Sequence, residues 1–237
     1  MVIDLHSSSR YKPLMNAKII LILFFLFPFP NWASTPLFLD SYVSSLQRSE
    51  RRSESELYTF AKELNVKIEK VSSVSRRVLK LPFNPRRMKI SADDQLEGWF
   101  DEYSSPNLII IEKKATVMTL VHELRHAIHL GAHHPLMGNK LDRQIEKAKA
   151  QAKNFEEGQA LIENASEIVA HTDELKMAEG LGDQELQESA IYFRKEYLKE
   201  FKKRAKALRP LLTKETPELL MLEKSILDFY QNSTLLK

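Results

Sequence analysis

The sequence predicts an α+β fold that is mostly helical, with a small sheet placed ahead of a central helix. One observation is that the chain from about residue 140 onward consists almost entirely of helix-forming residues, interrupted by glycine or proline at a few points. Another is the β-branched run NLIIIE at residues 107–112, which directly precedes a segment with helical periodicity. With 237 residues, the chain is long enough to bury a core without disulfides.

The first 34 residues have the pattern of a secretory signal peptide. Lys18 precedes the unbroken apolar run IILILFFLF at residues 19–27, and small residues follow it. The run is shorter than the roughly 20 residues that a membrane-spanning helix needs. A start at Met15 fits this pattern better than one at residue 1, because it leaves a short basic segment before the apolar run. We expect cleavage near residue 34, export to the periplasm or the medium, and no stable membrane span in the mature chain.

The mature domain, residues 35–237, begins with segments that the pattern defines only in part. Residues 35–46 form a short amphipathic stretch of unclear use, whereas residues 53–66 have apolar side chains at helical spacing. Prolines break the chain in the LPFNP segment, and turn-forming residues fill 91–106. The strand at 107–112 follows this turn.

The central helix and the elements after it are predicted from helical periodicity and from residues that end helices. Gly131 and Pro210 are placed to end two of them, and Gly180 and Gly182 mark a turn. The predicted helices cover 116–130, 141–155, 156–177, 184–208 and 217–230, with a loop at 131–139. The helical extension from about residue 184 offers a surface for a protein partner.

Charge and composition exclude several functional classes. Beyond residue 34 the chain carries 32 basic and 31 acidic residues, so bulk charge does not favour nucleic-acid binding. Cysteine is absent, which excludes a thiol nucleophile and a disulfide framework. A metal site must therefore be built from histidine and carboxylate side chains.

Residues 122–126 carry the strongest chemical signal, the H-E-x-x-H pattern of His122, Glu123 and His126. On a helix, residues four apart lie one turn apart on the same face, so two imidazoles can bind one ion. Glu123 projects beside them and can accept a proton from a water molecule that a zinc ion makes more acidic. The pattern predicts a zinc site with Glu123 as the general base.

The surroundings of the pattern favour a metal-binding helix over a chance match. With ~100° per residue, His126 lies ~40° from His122, while the apolar residues of the segment lie between ~140° and ~260°. These apolar residues are Val117, Leu120, Val121, Leu124, Ala127 and Ile128. The helix can therefore pack by its back and present both histidines to a cleft.

A catalytic zinc site takes three protein ligands, so one more is needed. The downstream helical segment LIENASEIVAH places Glu163, Glu167 and His171 at three successive turns of one helical face. One carboxylate can bind the ion while the other supports a ligand histidine.

The H-E-x-x-H helix followed by this segment resembles the gluzincin metallopeptidases, the clan of thermolysin and the CAAX-type membrane peptidases. The resemblance covers roughly residues 107–177 and implies a zincin-like fold with one zinc ion per chain. It implies Glu163 as the third ligand, Glu167 as the acid that supports a ligand histidine, and Ala170 as the small residue that often follows. The clan usually has aspartate where this chain has Glu167, which leaves Glu167 open as the ligand itself.

Other histidines give weaker signals. The metzincin motif would need glycine at 129 and histidine at 132, where this chain has His129 and Ala132. His129 is expected to have a structural or supporting role near the metal face, and His133 is next in line as a ligand. Amide hydrolysis also needs a group that stabilises the developing oxyanion. The candidates for that group are Tyr103, His133, His134 and His171.

Together these features predict an exported zinc metallopeptidase that acts on a peptide or protein substrate. Residues 107–112 are expected to be the sheet edge with which an extended substrate pairs. Two alternatives remain: a zinc hydrolase of cell-wall or small-molecule amides, and an inactive zinc-binding helical scaffold.

Overall fold

The computed structural model describes residues 35–82, 86, 89–131, 139–152, 156–211 and 216–234. The predicted signal peptide, His133 and His134 lie outside these residues. Within that part of the chain no helix is both long and apolar enough to cross a membrane. The helices are α1 (Thr35–Gln47), α2 (Glu54–Glu63), α3 (Val74–Val78), α4 (Val117–Leu130), α5 (Lys140–Ala152), α6 (Glu156–Leu181), α7 (Gln184–Leu208) and α8 (Pro217–Thr234); the strands are β1 (Val66–Val71), β2 (Gly98–Asp101) and β3 (Asn107–Glu112).

The three strands form one mixed sheet in the order β1-β3-β2. Strand β3 pairs in parallel with β1 and antiparallel with β2. The coarse prediction of a mostly helical α+β fold with a small sheet is thereby confirmed, and so is the strand at 107–112.

The expectation that this strand is the sheet edge is wrong, because β3 is the central strand. Its apolar run is continuous since both faces are buried: Ile109 and Ile111 join the main core, and Leu108 and Ile110 a smaller cluster on the other face. The edge next to the H-E-x-x-H helix is β2.

The sequence gives weak signals for β1 and β2. The predicted helix at 53–66 ends at Glu63, because Asn65 adopts a φ of 52° and turns the chain into β1. Strand β2 is four residues long and begins with a glycine, which is depleted in strands. Its pairing with β3 overrides that preference.

Helix α4 lies between the sheet and the long helix α6, and this placement positions the candidate site. Its back contributes Leu120, Val121 and Leu124 to the main core, which also takes Ile109 from β3 and Ala165 from α6. The first helix, α1, packs against α6 and gives a structure to the stretch at 35–46. Helices α7 and α8 pack on α6 and α5 and contribute to the same core through Phe201, Ala205, Leu208, Leu219, Leu222 and Ile226.

Candidate metal centre

The two histidines of the motif meet a carboxylate from α6. The Nε2 atoms of His122 and His126 lie 2.9 Å apart. The Glu167 carboxylate reaches both, with Oε2 3.4 Å from His122 Nε2 and Oε1 3.5 Å from His126 Nε2. Their ligand atoms all lie within 4.8 Å of one another, and two imidazoles with one carboxylate are a donor set that suits zinc.

Glu163, the ligand that the resemblance implies, lies outside this group. Its carboxylate is 3.9 Å from Arg86 Nε and lines a separate cavity of about 280 Å³ together with Glu102 and Tyr103. The crossing of α4 and α6 explains the difference, because it brings Ser166 within 2.8 Å of His126. The turn of Glu167 therefore faces the histidines, and the turn before it faces Arg86.

One carboxylate that sequence reasoning missed, Glu174, holds two imidazoles at once. Its Oε1 accepts a hydrogen bond from Nδ1 of His122 at 2.8 Å, and its Oε2 accepts one from Nδ1 of His171 at 2.5 Å. With Nδ1 donating, Nε2 of each ring is directed towards Glu167 in the cleft, whose Oε2 lies 3.4 Å from His122 Nε2 and 3.7 Å from His171 Nε2. A signal was present in the sequence, since Glu174 follows His171 by three residues on one helical face.

Burial and charge act in opposite directions on the pKa values of this cluster. Burial favours neutral forms, but hydrogen bonds from the two histidines lower the pKa of Glu174 to about 2. Burial also opposes the charge on His122, yet Glu167 and Glu174 raise its pKa well above the usual range. For His126 burial prevails over the attraction of Glu167 and lowers the pKa to about 4. His126 is therefore neutral at neutral pH, which is the form that binds a metal, whereas the raised pKa of His122 means that this ring would bind a metal only with loss of a proton.

Glu123 is set apart from the other acids of the cleft. Its side chain is buried, and no donor in the described part of the chain forms a hydrogen bond with its carboxylate. Burial raises its pKa to about 7, with the charge of His122 acting in the opposite direction. A buried acid with such a pKa can both accept and release a proton near neutral pH.

Strand β2 brings its backbone close to the Glu123 carboxylate. A Cβ atom added at Gly98 would lie 2.5 Å from Glu123 Oε1 and 2.9 Å from Thr119 Cγ2. Only glycine therefore fits at this position without a shift of the Glu123 side chain.

Among the described residues β2 is an edge strand, and its outer edge faces a cleft of about 320 Å³ that contains His122, His126 and Glu167. Glu112 N–H donates to Glu97 C=O, and Gly98 pairs with Ile111, so the N–H and C=O groups of Gly98 and Phe100 point away from β3. The outward carbonyl of Phe100 accepts a hydrogen bond from Arg86 at 3.3 Å. The cleft is lined by Arg86, Leu96, Gly98, Trp99, Phe100, His122, Glu123, His126, Glu167, His171, Phe193 and Tyr197.

Of the four candidates for oxyanion stabilisation, the structure places His171 in the cleft. Its ring stacks on Phe193 and Tyr197, at centroid distances of 5.2 and 5.5 Å. Tyr103 is largely exposed and lines the neighbouring cavity instead. Tyr197 joins His171 as a candidate that the sequence did not indicate, because burial keeps its pKa well above the usual range and its hydroxyl stays a donor.

Comparisons of the chain with protein-family models, with curated proteins and with solved structures found no match. The resemblance to gluzincins therefore rests on the sequence motif alone.

Proposed function

We propose that the protein is an exported zinc metallopeptidase with a zincin-like active site. His122, His126 and Glu167 would hold one zinc ion, and Glu123 would be the general base. The single observation that carries the proposal is the buried Glu123 carboxylate, which has no described donor and stands beside two converging imidazoles. A site built only to hold a metal has no use for such a base.

The cleft residues supply the steps of peptide hydrolysis. A zinc ion bound there contributes Lewis acidity, which activates water and polarises a carbonyl group. Glu123 accepts the proton of the attacking water and passes it to the leaving nitrogen as the C–N bond breaks. The hydroxyl of Tyr197 can donate a hydrogen bond to the carbonyl oxygen as its negative charge develops.

The strand edge favours a peptide over a small amide as the substrate. An extended peptide can add to β2 through the outward N–H and C=O groups of Gly98 and Phe100. That pairing would run past Glu123, since Gly98 touches its carboxylate. A hydrolase of small amides would share the metal site but would not need this edge.

The inactive scaffold is favoured by one observation, the second ligand group. His122, His171 and Glu174 also have ligand atoms within 4.8 Å of one another. His171 Nε2 also lies 3.7 Å from Oε2 of Glu167, so this ring could bind the ion as a fourth protein ligand and close the site to water, as in structural zinc sites.

Glu123→Gln separates these functions. The protein should hold one zinc ion per chain and cleave members of a fluorogenic peptide library. The Glu123→Gln variant should keep its zinc, because Glu123 is not a ligand, and lose about 10²–10⁴-fold in rate. Zinc content and initial rates are the measurements, and Glu163→Gln is the matched control, which should keep both.

A wild-type protein that holds zinc but cleaves no peptide would contradict the peptidase proposal. Cleavage of small amides alone would favour the broader hydrolase. Equal rates for Glu123→Gln and the wild type would remove Glu123 from the mechanism.

A further inference from the structure

A third histidine of the metal helix, His129, lies wholly inside the protein and takes part in a chain of hydrogen bonds. The Ser166 hydroxyl oxygen is 2.8 Å from Nδ1 of His126 and 2.9 Å from Nδ1 of His129. On the other side of the ring, Nε2 of His129 is 2.8 Å from Oδ1 of Asp142. These hydrogen bonds link α4, α6 and α5 and end at the ring of His126.

The direction of each hydrogen bond follows from the carboxylate at the far end. Asp142 accepts from the Asn139 backbone N–H at 3.0 Å and from Arg125 Nη1 at 3.3 Å, so it is an acceptor towards His129 as well. A neutral His129 therefore carries its proton on Nε2 and has an acceptor at Nδ1. Ser166 must donate to that atom, which leaves its own oxygen to accept from Nδ1–H of His126.

We propose that Asp142, His129 and Ser166 are positioning residues that fix the tautomer of His126 with its Nε2 lone pair directed at the metal site. The proposal rests on the metal site of the proposed function. A carboxylate usually orients a ligand histidine directly, as Glu174 does for His122. For His126 the orienting carboxylate is Asp142, which acts indirectly through the side chains of His129 and Ser166.

The same three residues are also the types of a serine hydrolase triad, but their burial excludes that role. Ser166 and His129 are 0% exposed and Asp142 is 3% exposed. None of them lines either described cavity. The Ser166 hydroxyl is also occupied by two imidazoles, so no substrate can reach it.

Asp142→Asn tests the direction of these hydrogen bonds, because asparagine has almost the same shape as aspartate. The amide oxygen is expected where Oδ2 accepts from the Asn139 N–H, which turns the amide nitrogen towards His129. His129 would then accept at Nε2 and donate from Nδ1, so Ser166 would donate to His126. His126 would carry its proton on Nε2, the atom that the metal needs.

Two measurements report on this change. Nitrogen NMR of the metal-free protein shows which ring nitrogen of His126 carries the proton. Competition with a chelator gives the zinc affinity, which should fall about 10–100-fold in Asp142→Asn. Asp40→Asn is the matched control, because Asp40 also accepts a hydrogen bond from Arg125, at 2.6 Å, but has no part in the hydrogen bonds that link Asp142 to His126. It should keep the His126 tautomer and a zinc affinity near that of the wild type.

A proton on Nε2 of His126 in the metal-free wild type would overturn the proposal, as would equal losses of affinity in Asp142→Asn and Asp40→Asn. If Asp142→Asn does not fold, Ser166→Ala replaces it: a mixture of His126 tautomers and weaker zinc binding are expected, and an unchanged tautomer and affinity would overturn the proposal. A wild-type protein that binds no zinc would contradict the proposed function, whereas the NMR result for His126 would still decide whether these hydrogen bonds fix its tautomer.

Discussion

At the scale of single residues, one helical turn of α6 separates the carboxylate that meets the motif histidines from the one that does not. Glu167 lies 3.4 and 3.5 Å from the two motif histidines, whereas Glu163 lies 3.9 Å from Arg86. Helical spacing on its own permits either carboxylate to face the metal helix. The crossing of the two helices selects one of them, and sequence patterns do not encode that crossing.

Loss of Glu167 should therefore empty the site more readily than loss of Glu163. Glu167→Ala removes one of the three proposed ligands, so we expect the variant to lose zinc under mild chelation. Glu163→Ala should retain zinc as the wild type does, because its carboxylate lies in the neighbouring cavity. Retained zinc after titration with a chelator is the measurement. The reverse order would return the ligand role to Glu163.

Other residues of the site follow directly from the sequence. His122, Glu123 and His126 lie where helical spacing predicts, with the apolar back of α4 buried. Glu174, Ser166 and Tyr197 were not predicted as site residues, because their roles depend on contacts between helices that are distant in sequence.

At the scale of elements, strand β2 and helix α4 meet at a point where no side chain fits. Gly98→Ala should lower the hydrolysis rate because the new Cβ displaces the Glu123 carboxylate, while zinc binding should be unaffected. Gly98→Ala should cost less activity in a Glu123→Asp background than in the wild type, since the shorter acid leaves room for the new Cβ. Steady-state kinetics and zinc content of the four proteins check this. A Gly98→Ala protein with the wild-type rate would show that the contact does not matter.

The strands show why the sheet was predicted only in part. The apolar run of β3 marks a buried strand wherever it lies, so its existence was predictable. Its central position depends on pairing with β1 and β2, which are weakly marked in the sequence. Strand β1 carries charged residues, and β2 is short and begins with glycine. Edge and centre are properties of the pairing, which local pattern does not determine.

At the scale of the whole molecule, one buried guanidinium joins four helices. Arg125 of α4 is 1% exposed and contacts Asp40 of α1, Asp142 of α5 and Asp173 of α6. Burial opposes the charge of Asp142, but Arg125 and His129 hold its pKa well below the usual range. At pH values above the pKa that the Asp142 carboxyl has in the unfolded chain, the group therefore stabilises the fold. This contribution is lost only in more acidic solution, as the pH falls towards the lower pKa of the folded state.

Arg125→Met should lower the free energy of unfolding by about 3–5 kcal/mol at neutral pH, because it leaves buried carboxylates without a counterion. Those carboxylates then bind protons more readily in the folded than in the unfolded chain. The deficit should therefore shrink as the pH falls from ~7 towards ~5. Urea denaturation at several pH values measures this, with Arg77→Met, which loses an ion pair with Glu69 near the surface, as the control. A deficit that does not change with pH would point to lost packing instead.

The Arg86 side chain occupies part of the β2 edge to which we propose that a peptide binds. It lies 5.3 Å from the Trp99 ring centroid and 3.7 Å from Glu102, and it donates to the outward carbonyl of Phe100. A peptide that bound there as an added strand, as we propose, would need that same carbonyl and would have to displace the Arg86 hydrogen bond. Its binding would then be an exchange of hydrogen bonds, which favours a long segment that gains several contacts at once over a dipeptide that gains only one.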